Sequence, residues 1–261
     1  MTAASYVMAD SATMLRRNLR RMRRYPMIFY IAGMPVVFLL LFVFVFGGTL
    51  GAGLGGSGTR DDYVAYVMPG ILAITVAGAA TSTAIAVAMD MNEGIIARFR
   101  TMAISRGSVL IAHVIAQVIQ TMLAVVIVVV VGVVIGFRPT TGPAEWILAG
   151  GLLTLVAVAI TWLSVGLGLL TKSVEAASNL PLPLTLLPLL GSGFVPTESM
   201  PDALRIFADN QPFTPIMETL RGLLLGTPIG DRWVWALAWC VGITVVGYLW
   251  SMRLYNRDQA R

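Results

Sequence analysis

Charged residues are scarce in this sequence. Asp, Glu, Lys and Arg make up 12% of the 261 residues, whereas a typical globular protein has about 25%. Hydrophobic residues make up 57%. So few charges are not enough to cover the surface of a water-soluble fold, so soluble enzymes and soluble binding modules are excluded. The composition predicts an all-α polytopic membrane protein.

The residues that usually carry catalysis or bind metals are equally scarce. Cys240 is the single cysteine and His113 the single histidine, so no metal site or Ser/His/Asp set can be assembled. The simplest interpretation of His113 is a hydrogen-bonded histidine within a helix. Residues 166–173 resemble a phosphate-binding loop, but Thr171 replaces the second required glycine and the segment lies inside an apolar run. The sequence therefore predicts no enzyme and no nucleotide site of its own.

Uninterrupted stretches without charge mark the membrane spans. A helix needs about 20 apolar residues to cross the hydrocarbon core of a bilayer. Six stretches meet this length: residues 27–46, 63–89, 107–137, 146–171, 176–197 and 233–252. Residues 1–26 precede them and combine six arginines with one apolar helical face (Met8, Leu15, Leu19 and Met22). This pattern predicts an interfacial amphipathic helix at the membrane surface.

The basic residues favour one side of the membrane. If the spans alternate in direction, thirteen of the eighteen Lys and Arg residues share a side with the N-terminus. The other five are Arg60, Arg138, Arg205, Arg221 and Arg232. Basic residues concentrate on the cytoplasmic side, so both termini are predicted to be cytoplasmic. The net charge of +5 is thereby attributed to topology and lipid contact, not to nucleic acid.

Two connections are longer than topology requires. Residues 90–106 are cytoplasmic in this scheme and carry Ile95, Ile96, Phe99 and Met102 on one helical face. Such a helix can lie on the membrane or dock into a cytoplasmic partner, and the pattern alone favours neither.

The second connection, residues 198–230, contains two apolar pieces too short to span. Residues 200–208 and 214–226 each predict a helix, and together they predict a re-entrant hairpin that begins near Pro201. Glu218 and Arg221 are three residues apart, which places them within reach of each other on one helix. Three prolines, at positions 181, 183 and 188, are predicted to kink the fifth span just before this hairpin.

Polar residues inside the spans are few and have two interpretations. They are Thr81 and Ser82 in the second span and Gln117, Gln120 and Thr121 in the third. Polar faces within a membrane contact protein or a cavity more often than lipid. These residues either form interhelical hydrogen bonds or line a substrate path, and a path with so little charge suits apolar or amphipathic molecules.

Both long connections resemble a known family. Residues 90–106 read DMNEGIIARFRTMAISR, similar to the D…G…RFR and Leu-Pro-Ile-Ser-Arg-like loop of type-2 ABC export permeases of the daunorubicin-resistance branch. The outer element is similar too, in FVPTESMP (194–201), NQPFTP (210–215) and ETLR (218–221). Ala103 stands where the branch often has proline. The order of these motifs on six spans resembles the transmembrane subunit of such an exporter.

This resemblance implies partners and roles that composition does not. Two copies of a separate ABC ATPase subunit would bind ATP and Mg, and a second permease, identical or homologous, would complete the complex. The residues implied in ATPase coupling are Asp90, Glu93, Ile96, Arg98, Phe99 and Arg100. The implied cargo is a hydrophobic small molecule or lipid, moved outward. A membrane scaffold or sensor, whose ATPase partner signals instead of transporting, is the alternative.

Overall fold

The computed structural model describes residues 27–48, 60–92, 106–171 and 173–257. All regular elements in these ranges are helical. In chain order they are α1 (Met27–Leu41) with a π-helical turn (Phe42–Phe46), α2 (Arg60–Asn92), α3 (Arg106–Ile135), α4 (Pro143–Leu170), α5 (Val174–Asn179), α6 (Leu182–Leu186) with a 3-10 turn (Leu187–Leu190), a 3-10 turn (Thr197–Ser199), α7 (Asp202–Asn210), α8 (Phe213–Leu225) and α9 (Arg232–Arg257). The predicted interfacial helix, residues 1–26, lies outside the described residues.

Four helices are long and apolar enough to cross a membrane, namely α2, α3, α4 and α9. They correspond to the second, third, fourth and sixth predicted spans. The helices α2 and α9 extend beyond their charge-free stretches at both ends, whereas α3 and α4 begin earlier than predicted and end one or two residues sooner. In α2, for example, Asp61 and Asp62 occupy the first turn. Carboxylates are favourable there because they face the positive end of the helix dipole.

The other two predicted spans are shorter apolar helical stretches in the structure, Ala32–Phe46 and Val174–Leu190. The fifth was predicted as one kinked span over residues 176–197, but it is broken into α5, α6 and a 3-10 turn. Pro183 and Pro188 each stand in the first turn of a new helical piece. A proline there has no hydrogen-bonding N–H to lose, whereas inside a longer helix it would break the ladder. Regular helical structure in this stretch ends at Leu190.

The helix α2 lies at the centre of the bundle. It packs against α1, α3, α4, α5, α6 and α8. In its most apolar window 72% of the residues are buried, whereas the corresponding value for α9 is 22%. The outer faces of α3 and α9 carry exposed valines and leucines, as expected of surfaces that meet lipid. The core of the protein is therefore built around one helix.

Glycine allows the spans to approach closely. A Cβ atom on Gly168 of α4 would lie 2.8 Å from the Ala84 carbonyl oxygen of α2. A Cβ atom on Gly247 of α9 would lie 2.8 Å from the Leu163 backbone nitrogen of α4. Small residues at such contacts let helices pack in lipid, where van der Waals contact replaces the hydrophobic effect as the driving force.

The helices α7 and α8, which follow the broken fifth helix, differ in their surroundings. Most of α7 is exposed, whereas α8 buries most of its residues against α2, α4 and α9. Gly226 ends α8 in the left-handed conformation, with φ of 71°, and its N–H donates to the Gly222 carbonyl. Both helices were predicted from the sequence. Their depth in the membrane, which the word re-entrant implies, remains a prediction.

We expect Gly247→Ala to destabilise the protein by about 1–3 kcal/mol, because the added methyl group overpacks the contact between α4 and α9. Gly242→Ala is the matched control on the same helix, since nothing lies within 4 Å of a Cβ placed there. Thermal unfolding of the purified protein in detergent measures the difference. Equal melting temperatures for the two variants would contradict this account of the contact.

Candidate functional site

Two of the candidate path residues join α2 to α3. The Gln117 amide nitrogen donates a hydrogen bond of 2.9 Å to the Ser82 hydroxyl, which in turn donates to the Ala79 carbonyl oxygen at 3.0 Å. An interhelical hydrogen bond of this kind is worth about 0.6 kcal/mol on average in a membrane protein. These contacts correspond to the interhelical bonding that the sequence left open as one interpretation.

One helical turn further along α3, Gln120 and Thr121 are also buried. The Thr121 hydroxyl donates to the Gln117 carbonyl oxygen of its own helix at 2.9 Å. The Gln120 amide nitrogen has no hydrogen-bond partner among the described residues. A buried donor without a partner costs about 1–3 kcal/mol, so Gln120 is the least satisfied polar group of this set.

Thr81 faces a different neighbour. Its hydroxyl oxygen lies 3.4 Å from that of Thr185 on α6, and both side chains are half-buried. The candidate path residues therefore contact two different neighbours of α2. Ser82 and Gln117 meet between α2 and α3, whereas Thr81 meets the broken fifth helix.

One face of α2 remains accessible in its second half. Between Met68 and Asp90 the partly exposed positions are Gly78, Thr81, Ser82, Ile85, Ala86 and Met89, and every other residue is buried. Their spacing of 3, 1, 3, 1 and 3 defines a single helical face. The face is uncharged, contains two hydroxyl groups and is bordered by Thr185.

Two charged or ionisable groups meet near the end of α2. The Asp90 Oδ2 atom lies 2.8 Å from the Nε2 atom of His113 on α3. The Asp90 side chain is 4% exposed and that of His113 is 14% exposed. The hydrogen bond between them joins α2 to α3 at this level. The other predicted coupling residues, Glu93, Ile96, Arg98, Phe99 and Arg100, lie outside the described residues.

A second polar cluster lies where α8 meets the start of α9, and Glu218 has a partner there that its spacing from Arg221 did not indicate. Glu218 pairs with Arg232 at the start of α9, with 2.8 Å between Oε2 and Nε, instead of with Arg221. The spacing of Glu218 and Arg221 allowed them to meet. The loop between α8 and α9, however, brings Arg232 back to the same carboxylate.

Arg221 binds the backbone instead. Its Nη2 atom donates to the Ser192 carbonyl oxygen at 2.7 Å and to the Tyr66 carbonyl oxygen at 3.4 Å. Its guanidinium group lies 4.2 Å from the centre of the Tyr66 ring, and the Tyr66 hydroxyl donates to the same Ser192 carbonyl at 3.0 Å. Arg221 thereby holds the turn after the broken helix against α2.

Partial burial disfavours the charged form of the Glu218 carboxyl. Partial burial raises the pKa of the Glu218 carboxyl above its ordinary value, although Arg232 and then Arg221 pull this pKa back down. An open depression of about 440 Å³ adjoins the pair. It is lined by Glu218, Arg221, Thr227, Pro228, Ile229, Gly230, Asp231 and Arg232.

Sequence reasoning missed three members of this cluster. Tyr66 and Ser192 lie in apolar stretches, and Arg232 was taken only as the boundary of the last span. A partial signal exists for Ser192, which stands between Gly191 and Gly193. A Cβ atom on Gly193 would lie 2.8 Å from the Gly70 Cα atom, so the turn approaches the α2 backbone. Pro201, the remaining residue assigned to the hairpin, is exposed and precedes α7.

We expect Arg221→Gln to destabilise the protein by about 2–4 kcal/mol, because it removes a charge-assisted hydrogen bond and a cation–π contact. Arg205→Gln is the control, because that side chain is 48% exposed and its pair with Asp209 spans 3.8 Å. Such an exposed pair is worth about 0–1 kcal/mol. Thermal unfolding compares the two variants, and equal shifts in melting temperature would contradict the assigned role of Arg221.

Comparisons with known proteins agree with the motifs. The ABC-2 type transporter family matches residues 11–225 of the chain. The chain is 26% identical over 263 residues to the "Daunorubicin resistance ABC transporter permease protein DrrB1" of Streptomyces coeruleorubidus, covering 99% of this chain and 90% of that protein. It is 24% identical over 245 residues to the "Probable doxorubicin resistance ABC transporter permease protein DrrC" of Mycobacterium tuberculosis (strain CDC 1551 / Oshkosh), covering 94% and 87%. The chain belongs to the ABC-2 type transporter family, among relatives named as drug-resistance permeases.

Proposed function

We propose that this chain is the transmembrane subunit of an ATP-driven exporter that moves hydrophobic or amphipathic molecules out of the cell. The observation that carries the proposal is the accessible face of α2. A helix that is otherwise buried leaves open one uncharged face with hydroxyl groups at Thr81 and Ser82. Such a surface can solvate an amphipathic molecule and offers no counter-charge to an ion.

ATP would be hydrolysed by separate subunits. The sequence carries no phosphate-binding loop, so two copies of an ABC ATPase would bind ATP and Mg on behalf of the complex. Residues 90–106 would form the coupling helix that docks on the ATPase, with Asp90, Glu93, Ile96, Arg98, Phe99 and Arg100 in or beside the contact. In this assignment the chain is not itself an enzyme.

A second permease, identical or homologous, would complete the path. The fifth helix is broken by prolines and exposes Leu180, Leu182, Leu186 and Leu190. Irregular backbone at membrane depth is tolerated only where protein or a water-filled cavity covers it. We therefore place the partner permease over α5 and α6, beside the open face of α2, and membrane lipids on the outer faces of α3 and α9.

The topology follows from the same assignment. The helical stretch from residue 27 and the broken fifth helix would complete six spans, and residues 198–230 would form the re-entrant element on the outer side. The distribution of basic residues, thirteen against five, supports cytoplasmic N- and C-termini.

The transport assay uses doxorubicin, the drug after which the mycobacterial relative is named. In vesicles that contain the permease and its ATPase, we expect uptake of the drug that depends on ATP. We expect Thr81→Phe to lower this transport about tenfold, a loss of about 1.4 kcal/mol, because the larger side chain would occupy the accessible face where the drug is proposed to bind. Val126→Phe is the control, since it adds similar bulk to a side chain on α3 that is 56% exposed.

The same assay separates the two interpretations of the complex. ATP hydrolysis without movement of doxorubicin or of a fluorescent lipid would favour the scaffold or sensor and would contradict an exporter of this class. Equal transport by the Thr81→Phe and Val126→Phe variants would remove the α2 face from the path while leaving export itself in place.

Coupling is tested at Phe99. We expect Phe99→Ala to weaken co-purification of the ATPase and to lower transport, since burying a phenylalanine contributes about 1.5–3 kcal/mol. Glu93→Ala is expected to have a smaller effect, because an exposed ion pair contributes only about 0–1 kcal/mol. Membrane insertion of both variants is checked by the yield of folded protein. If Phe99→Ala leaves ATPase association and transport unchanged, the coupling assignment is wrong.

A further inference from the structure

The hydrogen bond between Asp90 and His113 lies at the base of the connection between α2 and α3. Asp90 is two residues before the end of α2 at Asn92, and His113 is seven residues after the start of α3 at Arg106. The helices that precede and follow residues 93–105 are therefore joined to each other by this hydrogen bond. His113 is the single histidine in the sequence.

Burial makes this contact stronger than a surface pair. Asp90 is 3% exposed, and an ionised carboxylate in such surroundings requires hydrogen bonds to compensate for the loss of water. The Nε2 atom of His113, 2.8 Å away, supplies one of them. Hydrogen bonds that involve a charged group are about twice as strong as those between neutral groups. The relative position of the two helix ends is therefore fixed by a contact that is costly to break.

A second contact lies about one turn further along α3 and about two turns back along α2. The Gln117 amide donates to the Ser82 hydroxyl at 2.9 Å, so the same two helices are joined again by a neutral hydrogen bond. Ser82 belongs to the accessible face of α2. The two contacts thus connect the base of residues 93–105 to the face that we assign to the substrate path.

We propose that Asp90 and His113 are positioning residues that hold α2 and α3 together where the coupling segment begins and ends, so that this segment and the path move as one body. The proposal rests on the function proposed above. In this proposal the Asp90–His113 pair transmits the movement of the ATPase to α2. It does not assign to the pair any contact with the drug or with ATP.

Three variants of the full chain, each assembled with its ATPase in nanodiscs or vesicles, test the pair. His113→Leu removes the hydrogen bond to Asp90, whereas His113→Gln retains an amide that can reach the same carboxylate. Thr83→Val is the matched control, because it removes a buried hydrogen bond within α2, from the Thr83 hydroxyl to the Ala79 carbonyl oxygen, and leaves the contacts between α2 and α3 in place. The readouts are the number of doxorubicin molecules moved per ATP hydrolysed, co-purification of the ATPase and amide hydrogen exchange of residues 86–92 and 110–116.

We expect His113→Leu to lower the ratio of transport to hydrolysis about tenfold, within the range typical of coupling between two sites. ATPase association should persist, and amide exchange near both helix ends should become faster. We expect His113→Gln and Thr83→Val to stay within about twofold of the wild-type ratio, the scatter expected of independent changes.

Three results would overturn the proposal. They are an unchanged ratio in His113→Leu, an equal fall in Thr83→Val, which would indicate general packing, and a fall explained entirely by loss of the ATPase. If the wild-type complex hydrolyses ATP without moving doxorubicin, the proposed export function is wrong. The positioning role of the Asp90–His113 pair is then tested by the amide-exchange measurement alone. Faster exchange in His113→Leu that His113→Gln restores supports the positioning contact, and unchanged exchange in both variants rejects it.

Discussion

Close packing around α2 is the constraint on which the rest of the structure depends. Lipid tails are as apolar as leucine, so helices in a membrane associate through van der Waals contact and need small side chains to approach. The α2 helix meets six other helices, and its contact with α4 requires glycine at position 168. Gly70 allows the turn at Gly193 to approach the same helix from the outer side. Between Met68 and Asp90 the other faces of α2 are buried, so its one accessible face is the part of this stretch that can contact another molecule.

The polar groups of α2 follow from the same burial. A polar group removed from water is costly unless it finds a partner, and the polar side chains of α2 find theirs on several neighbouring elements. Tyr66 shares the Ser192 carbonyl with Arg221, Thr81 meets Thr185, and Asp90 meets His113. Ser192 lies in the irregular backbone that follows the broken helix. Arg221 and Tyr66 satisfy a carbonyl that a regular helix would have satisfied by itself.

The sequence predicted the features that depend on length and composition. Four spans, the two outer helices and the family motifs could be found, because charge-free stretches and glycine or proline boundaries are local signals. The breakdown of the fifth span could be predicted only as a kink, since three prolines indicate an interruption without fixing where each helical piece restarts. The partner of Glu218 was missed because the spacing of Glu218 and Arg221 describes reach along one helix, whereas Arg232 returns through a loop. The length of α2 does not indicate that this helix lies at the centre of the bundle. Its central position depends on alanine and glycine contacts between residues far apart in the chain.

Three of the polar contacts described above lie along the single helix α2. Tyr66 is near one end of α2, Thr81 is in the middle and Asp90 is near the other end, about 36 Å apart in total at 1.5 Å per residue. Arg221 and the turn at Ser192 hold the end near Tyr66, and His113 holds the other end against α3. Pro69, which lacks an N–H for the helix ladder, lies between Tyr66 and Thr81. No proline interrupts α2 between Thr81 and Asp90, so the accessible face and the end held by His113 share one continuous hydrogen-bond ladder.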